Sequence, residues 1–443
     1  SSLLSSIREP MPRRQIFSSQ FITVLTMVGV TVGLGNVWRF PYMMGQFGGS
    51  AFLLLYLFFT LAFGIPAMTA EWALGRATRQ GTLGAMRIAF GPVFGTAAGV
   101  LLLVTVLVAG SYYVVVVGNV IYSTLFSVTQ GFSDATMPGF EAGLSNGWLQ
   151  YVVAMVLMLL ALLVVYRGLK KGIEAVSRVF VPFFGIVVIY LVFHALSLDG
   201  AMARLADFLK PDLAALGPTE IFAALGQSFF SLGLGGTFLL VYGSYLAGDA
   251  NIPRSALLTG LGDVGSALLA ALFIVPTILA FGLQIDQGPG LIFSTLPALF
   301  SQMPGGRILG SAFLLALSMM AFLSYVAAIE VIAGSIPDSD QGVVTRKRVI
   351  VVVGLLQALL ILPIALEPSL IGTLDLIFGS GMQVFGSALA LLGLTWGLGR
   401  ATSLQQIFGT ATGRWTRFYF HWLRWTIPVV LLVILVNYVI TVL

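Results

Sequence analysis

The chain has 443 residues, of which 58% are hydrophobic and only 9% charged, and its mean hydropathy is +1.00. A soluble protein carries roughly 25% charged residues, so a water-soluble globular fold is excluded and an all-α polytopic membrane protein is expected. The net charge of +5 calls for no nucleic acid, because membrane proteins gather Lys and Arg in cytoplasmic loops. Cysteine is absent and the two histidines, His194 and His421, stand far apart, which leaves little for a transition-metal site or for an enzyme.

A helix crosses the bilayer with about 20 apolar residues, and about eleven stretches qualify: 17–45, 50–75, 91–125, 148–166, 175–197, 219–246, 255–283, 305–335, 346–366, 372–399 and 418–441. The first carries GVTVGLGNVWRFP, from Gly29 to Pro41, with three glycines, an Asn and an Arg inside an apolar run. The sixth carries FFSLGLGGT, from Phe229 to Thr237. Unwound backbone at membrane depth is tolerated only against protein or a watery cavity. Each glycine cluster alone could serve close helix packing instead. The two together point to a transporter binding site between interrupted spans. Spans 1–5 and 6–10 each open on such a break, the pattern of a five-plus-five inverted repeat. Repeat one would cover 14–197, repeat two 219–399, and an extra helix 418–441, all in one transmembrane domain.

Basic residues set the orientation. Arg8, Arg13 and Arg14 precede span 1, Arg76, Arg79 and Arg87 follow span 2, and Lys170 and Lys171 lie between spans 4 and 5. Arg346, Lys347 and Arg348 open span 9, and Arg400, Arg414 and Arg417 lie between spans 10 and 11. All fall on one side, whereas the loop 127–146 has no Lys or Arg. The positive-inside rule then gives a cytoplasmic N-terminus and an outer C-terminus in a bacterial inner membrane. Of the outer loops, 286–304 has an apolar middle, TLPALFSQMPGG, suited to a short helix dipping back into the protein.

These motifs carry a resemblance. GVTVGLGNVWRFPYMMGQFGGSAFLLLY, GIPAMTAEWALGR, RGLKKGIE, GQSFFSLGLGG, VYGSYL and TLPALFSQ together resemble the neurotransmitter:sodium symporter family, in its bacterial amino-acid transporter branch, over nearly the whole chain. The resemblance implies sodium-coupled symport of a small molecule across the bilayer by alternating access. Freed N–H groups of Leu34 and Gly35 would meet a substrate carboxylate, and Tyr113 would hydrogen-bond it. Gly33 stands where amine-transporting relatives have Asp, which favours a substrate bringing its own carboxylate. Thr31, Asn36, Ser231 and Asp263 would hold a first sodium, Asp263 replacing the commoner Asn. Gly29, Val32, Met320 and Ser324 would hold a second, but Leu323 offers no oxygen where the family has one. Such a site is weak, is completed by water, or is absent, so one or two sodium ions are implied. Ala267 replaces the serine of chloride-dependent relatives, and with Asp263 nearby no chloride is expected.

Ala109, Gly233, Gly236 and Ala328 match the side-chain pocket, with Phe230 as an aromatic lid. Small walls leave room for a bulky neutral, aromatic or long aliphatic amino acid, unless neighbouring helices close in on them. Arg39 matches the outer gate, with Asp375 as its nearest acid and Phe378 at the alternative register. Arg14 and Asp338 match the inner gate, supported by Ser244 and Tyr245. Glu71 is expected to pair with freed N–H groups of span 6. A proton-coupled or uncoupled carrier, and a substrate sensor that does not transport, remain as alternatives.

Overall fold

The computed structural model describes residues 15–211, 213–283, 291–335, 342–409 and 413–442. Arg14 and Asp338, the expected inner gate, lie outside the described residues.

Why these residues form membrane helices follows from their composition. Long Leu-, Val- and Phe-rich runs close every backbone hydrogen bond within the segment, which the hydrocarbon demands. Among the described residues, nine helices are long and apolar enough to cross: Ser50–Thr78, Phe94–Thr129, Gly147–Tyr166, Leu169–Leu196, Ile252–Ala280, Gly306–Ala333, Arg346–Leu366, Leu370–Gly397 and Arg414–Asn437. These are spans 2–5 and 7–11. Span 1 is a bent pair, Gln20–Thr31 and Gly35–Gln46, meeting at 58°. Span 6 is broken too: Pro218–Ser231 ends, and Phe238–Gly243 resumes. Gly233 and Gly236 sit in that gap at φ of 65° and 69°, a backbone region that residues with a Cβ rarely adopt.

Burial separates the layers. In span 8, 78% of the most apolar window is covered by protein, against 28% for spans 5 and 11, so span 8 is central and the other two face lipid. Span 8 packs along span 3, and span 7 along span 5. Broken spans 1 and 6 lie among them. Gly75 of span 2 and Leu240 of span 6 approach so closely that a Cβ at Gly75 would collide with the Leu240 carbonyl.

The structure corrects one boundary. Span 5 begins at Leu169, not near 175, because Gly168, at φ 78°, turns the chain tightly and the helix starts at once. The buried Glu174 then accepts from Ser18, at 2.9 Å from the backbone N–H and 2.6 Å from the hydroxyl, pinning the entry of span 1 to span 5. The expected outer-loop helix is present as Thr295–Gln302, with Leu296, Leu299 and Phe300 buried.

Candidate functional site

The two breaks face one another across a cavity of about 110 Å³. Thr31, Leu34 and Gly35 of span 1, Ala109 and Tyr113 of span 3, Phe230, Ser231 and Gly233 of span 6, and Ser324 and Ala328 of span 8 all line it. Gly236 does not. Its free side is closed by the Gly386 carbonyl, 2.6 Å from where a Cβ would stand, so it serves the packing of span 10 on span 6. The local reason for the opening is the break at Val32, extended at φ −74° and ψ 122°. The next helix starts at Gly35; the Asn36 and Val37 N–H groups bond the Gly33 carbonyl at 3.3 and 3.2 Å, and those of Leu34 and Gly35 precede that turn. The Tyr113 hydroxyl lies in hydrogen-bonding reach of the Leu34 N–H and of Ser324. A methyl group on Gly33 would come within 2.9 Å of both the Tyr113 hydroxyl and Ser324 Oγ. The wall therefore has no space for a carboxylate of its own.

Beneath this lies a fully buried acid. Asp263 Oδ1 accepts from Asn36 Nδ2 at 2.7 Å, and Oδ2 accepts from Ser231 Oγ at 2.7 Å. Thr31 and Tyr56 complete the ring of hydroxyls around it. All four residues expected at the first sodium thus converge. No Lys or Arg is paired with Asp263 among the described residues. A buried carboxylate is costly without a compensating charge, and a hard cation ligated by oxygens supplies one. Gln227 donates to the Gly35 carbonyl at 2.9 Å beside this cluster, and Ala267 is buried close by in sequence on the same helix as Asp263.

The second expected set is only partly assembled. Ser324 Oγ donates to the Val30 carbonyl at 2.9 Å and lies 3.5 Å from Val32 O and 3.4 Å from Met320 O. Leu323 is buried, and its Cδ1 stands 3.0 Å from where a Cβ on Gly29 would be. A methyl group thus occupies the neighbourhood where an oxygen is wanted.

The cavity opens toward Arg39 and Asp375. It shares Leu34, Tyr112, Tyr113, Phe230 and Asp375 with a vestibule of about 320 Å³. The expected Arg39–Asp375 ion pair is not formed. Arg39 instead lies over the Phe230 ring, 4.4 Å from its centroid, where the ring's negative face attracts the guanidinium. Asp375 Oδ1 accepts from the Tyr112 hydroxyl at 3.0 Å. Phe378 packs on the hydrophobic core rather than in either cavity. At the start of span 1, Phe17 is buried and stacks on Tyr242 at 6.2 Å, and its N–H donates to the Tyr245 carbonyl. Tyr245 donates to Glu330 Oε1 at 2.5 Å, and Arg346 pairs with Oε2 at 2.7 Å. Glu71 accepts from the Gly235 N–H at 3.0 Å, as its place in span 2 implied.

Several lining groups escaped the sequence reading. Gly110 and Tyr112 adjoin Ala109 and Tyr113, so their spacing along span 3 was a usable signal. Gln383 and Phe238 also line the cavity. A lone Gln in an apolar span was the visible clue to the first, and nothing distinguished the second from core.

Comparisons with known proteins agree with this geometry. The model of the Sodium:neurotransmitter symporter family matches residues 14–138 and 135–443. The chain is 31% identical over 438 residues to an uncharacterized sodium-dependent transporter, YhdH, of Bacillus subtilis (strain 168), covering 95% of this chain and 97% of that one. It is 31% identical over 364 residues to another from Methanocaldococcus jannaschii, covering 77% of this chain and 73% of the relative. Among solved structures, MhsT in complex with L-phenylalanine superposes with a TM-score of 0.86 at 29% identity, covering 96% of this chain and all of that one.

Proposed function

The chain belongs to the sodium:neurotransmitter symporter family and is a sodium-dependent transporter; on that premise we propose that it takes up a bulky neutral amino acid together with sodium, without chloride. One observation carries this reading: the buried Asp263, ringed by Asn36, Ser231 and Thr31, lies directly under a cavity whose wall includes the start of a half-helix. The substrate's carboxylate would meet Leu34, Gly35 and Tyr113 and complete the first sodium's ligands. Its side chain would lie against Ala109, Gly233 and Ala328 under Phe230. The bound L-phenylalanine of MhsT supports an amino acid of this size. Asp263 would supply the fixed negative charge that makes a chloride ion redundant. Spans 1, 2, 6 and 7 would rock against the rest in a bacterial inner membrane, N-terminus inside. Arg39 and Asp375 would act at the outer mouth, and Arg14 and Asp338 at the inner one.

The test is a thermal-stability screen of amino acids in sodium chloride, sodium gluconate and choline chloride. A ligand that binds the native state raises apparent stability by mass action. We expect aromatic and long aliphatic amino acids to stabilise in both sodium salts and not in choline. Stabilisation lost in gluconate would sink chloride independence. Stabilisation retained in choline would favour the proton-coupled or uncoupled carrier, and the absence of uptake despite binding would favour the sensor.

The second cation site gives a sharper expectation. Leu323→Thr adds a hydroxyl beside Gly29 and Ser324, so the sodium dependence of uptake should steepen and its midpoint fall. An unchanged titration would show that Leu323 is not what limits that site.

A further inference from the structure

Span 10 contributes to the cavity a polar group for which the sodium and carboxylate roles have no use. Gln383 lines the central cavity and also the neighbouring one between spans 1, 6, 10 and 11. Its Oε1 is buried and has no hydrogen-bond partner among the described residues. Its stem lies beside the unwound stretch of span 6: a Cβ on Gly235 would lie 3.5 Å from Gln383 Cα and 3.6 Å from Cγ. The terminal amide torsion is broad, so the oxygen can turn toward the cavity while the stem stays in place. Asp375 also lines this wall and accepts from the Tyr112 hydroxyl at Oδ1. The remaining side-chain walls, Ala109, Gly110, Phe238 and Ala328, offer no hydrogen-bonding side chain.

A buried acceptor left unpaired is costly, and a site built around one discriminates against ligands that cannot satisfy it. We propose that Gln383 selects, among bulky amino acids, an aromatic side chain ending in an N–H or O–H donor. This rests on the amino-acid reading above and adds a polar requirement to a pocket otherwise read as apolar. Tryptophan and tyrosine are then preferred, and phenylalanine is the poorer ligand.

The experiment is competition binding to the purified full chain in sodium, with tryptophan against benzothienylalanine, the same bicycle with sulfur in place of the indole N–H. A purely apolar pocket favours the more hydrophobic sulfur analogue. The proposal expects tryptophan to bind about tenfold tighter, the size of one net hydrogen bond. Gln383→Met should bring the ratio to about one or reverse it. Equal binding of the two analogues by the native protein, or a preference that survives in Gln383→Met, overturns the proposal. The native comparison stands even if the variant fails to fold. If leucine binds in sodium without any tryptophan preference, only this inference falls. If no amino acid binds, the amino-acid reading falls with it.

Discussion

Asp263→Ala is expected to abolish sodium-driven uptake, by about 100-fold or more, and to erase the sodium-induced rise in thermal stability. The carboxylate is fully buried and is the acceptor for Asn36 and Ser231. Removing it strips the cluster of its only formal charge and leaves two polar side chains without their partner. Each unsatisfied buried group costs about 1–3 kcal/mol, and a cation in an uncharged cage loses its strongest ligand as well. The apo protein should suffer less than the sodium-bound one, because a buried acid without its cation is itself unfavourable. Melting curves with sodium and with choline, beside uptake into liposomes under a sodium gradient, read both effects. A variant whose melting temperature still rises fully with sodium would remove Asp263 from the cation site.

Arg346→Leu should destabilise the folded protein by about 3 kcal/mol, since breaking one side of a buried pair leaves the other charge uncompensated. Glu330 is the charge left behind, at 1% side-chain exposure, with Tyr245 as its remaining neutral donor. Replacing both residues with leucine should recover much of that loss, because an apolar pair of similar volume has no desolvation penalty. The same pair lies with Phe17, Tyr242 and Tyr245 at the end of the bundle where span 1 begins, so both variants should also favour opening at that end. Equal stability of native and Arg346→Leu proteins would mean that the pair contributes nothing to closure.

Much of the architecture was legible before any coordinates, for a physical reason. In a bilayer a span must be long, apolar and internally hydrogen-bonded, so hydropathy alone locates it. The same rule made the breaks visible, because Gly-Leu-Gly inside an apolar run conflicts with a continuous helix. The convergence of Asn36, Ser231 and Asp263 was implied by the family resemblance, and polar residues at that depth only marked them as unusual. What the sequence left open is how side chains choose partners. Arg39 and Asp375 looked like an ion pair, but an aromatic face and a tyrosine hydroxyl lay nearer, and no periodicity encodes that choice. Gly236 looked like pocket wall because it shares a motif with Gly233. The Gly386 carbonyl of span 10 closes its free side instead.

The leucine methyl beside Gly29 bears finally on how hard such a carrier can pump. Moving one elementary charge through 100 mV releases about 2.3 kcal/mol, and a factor of ten in concentration requires about 1.4 kcal/mol. From that voltage alone, a cycle that carries one sodium with each zwitterion can sustain an accumulation ratio of about 50-fold. A cycle that carries two can sustain about 2,500-fold. If the hydrocarbon at Leu323 leaves a single coupled sodium, the cycle gives up that square. In return it needs half the inward sodium current for each molecule taken up, terms that suit a nutrient already plentiful outside the cell.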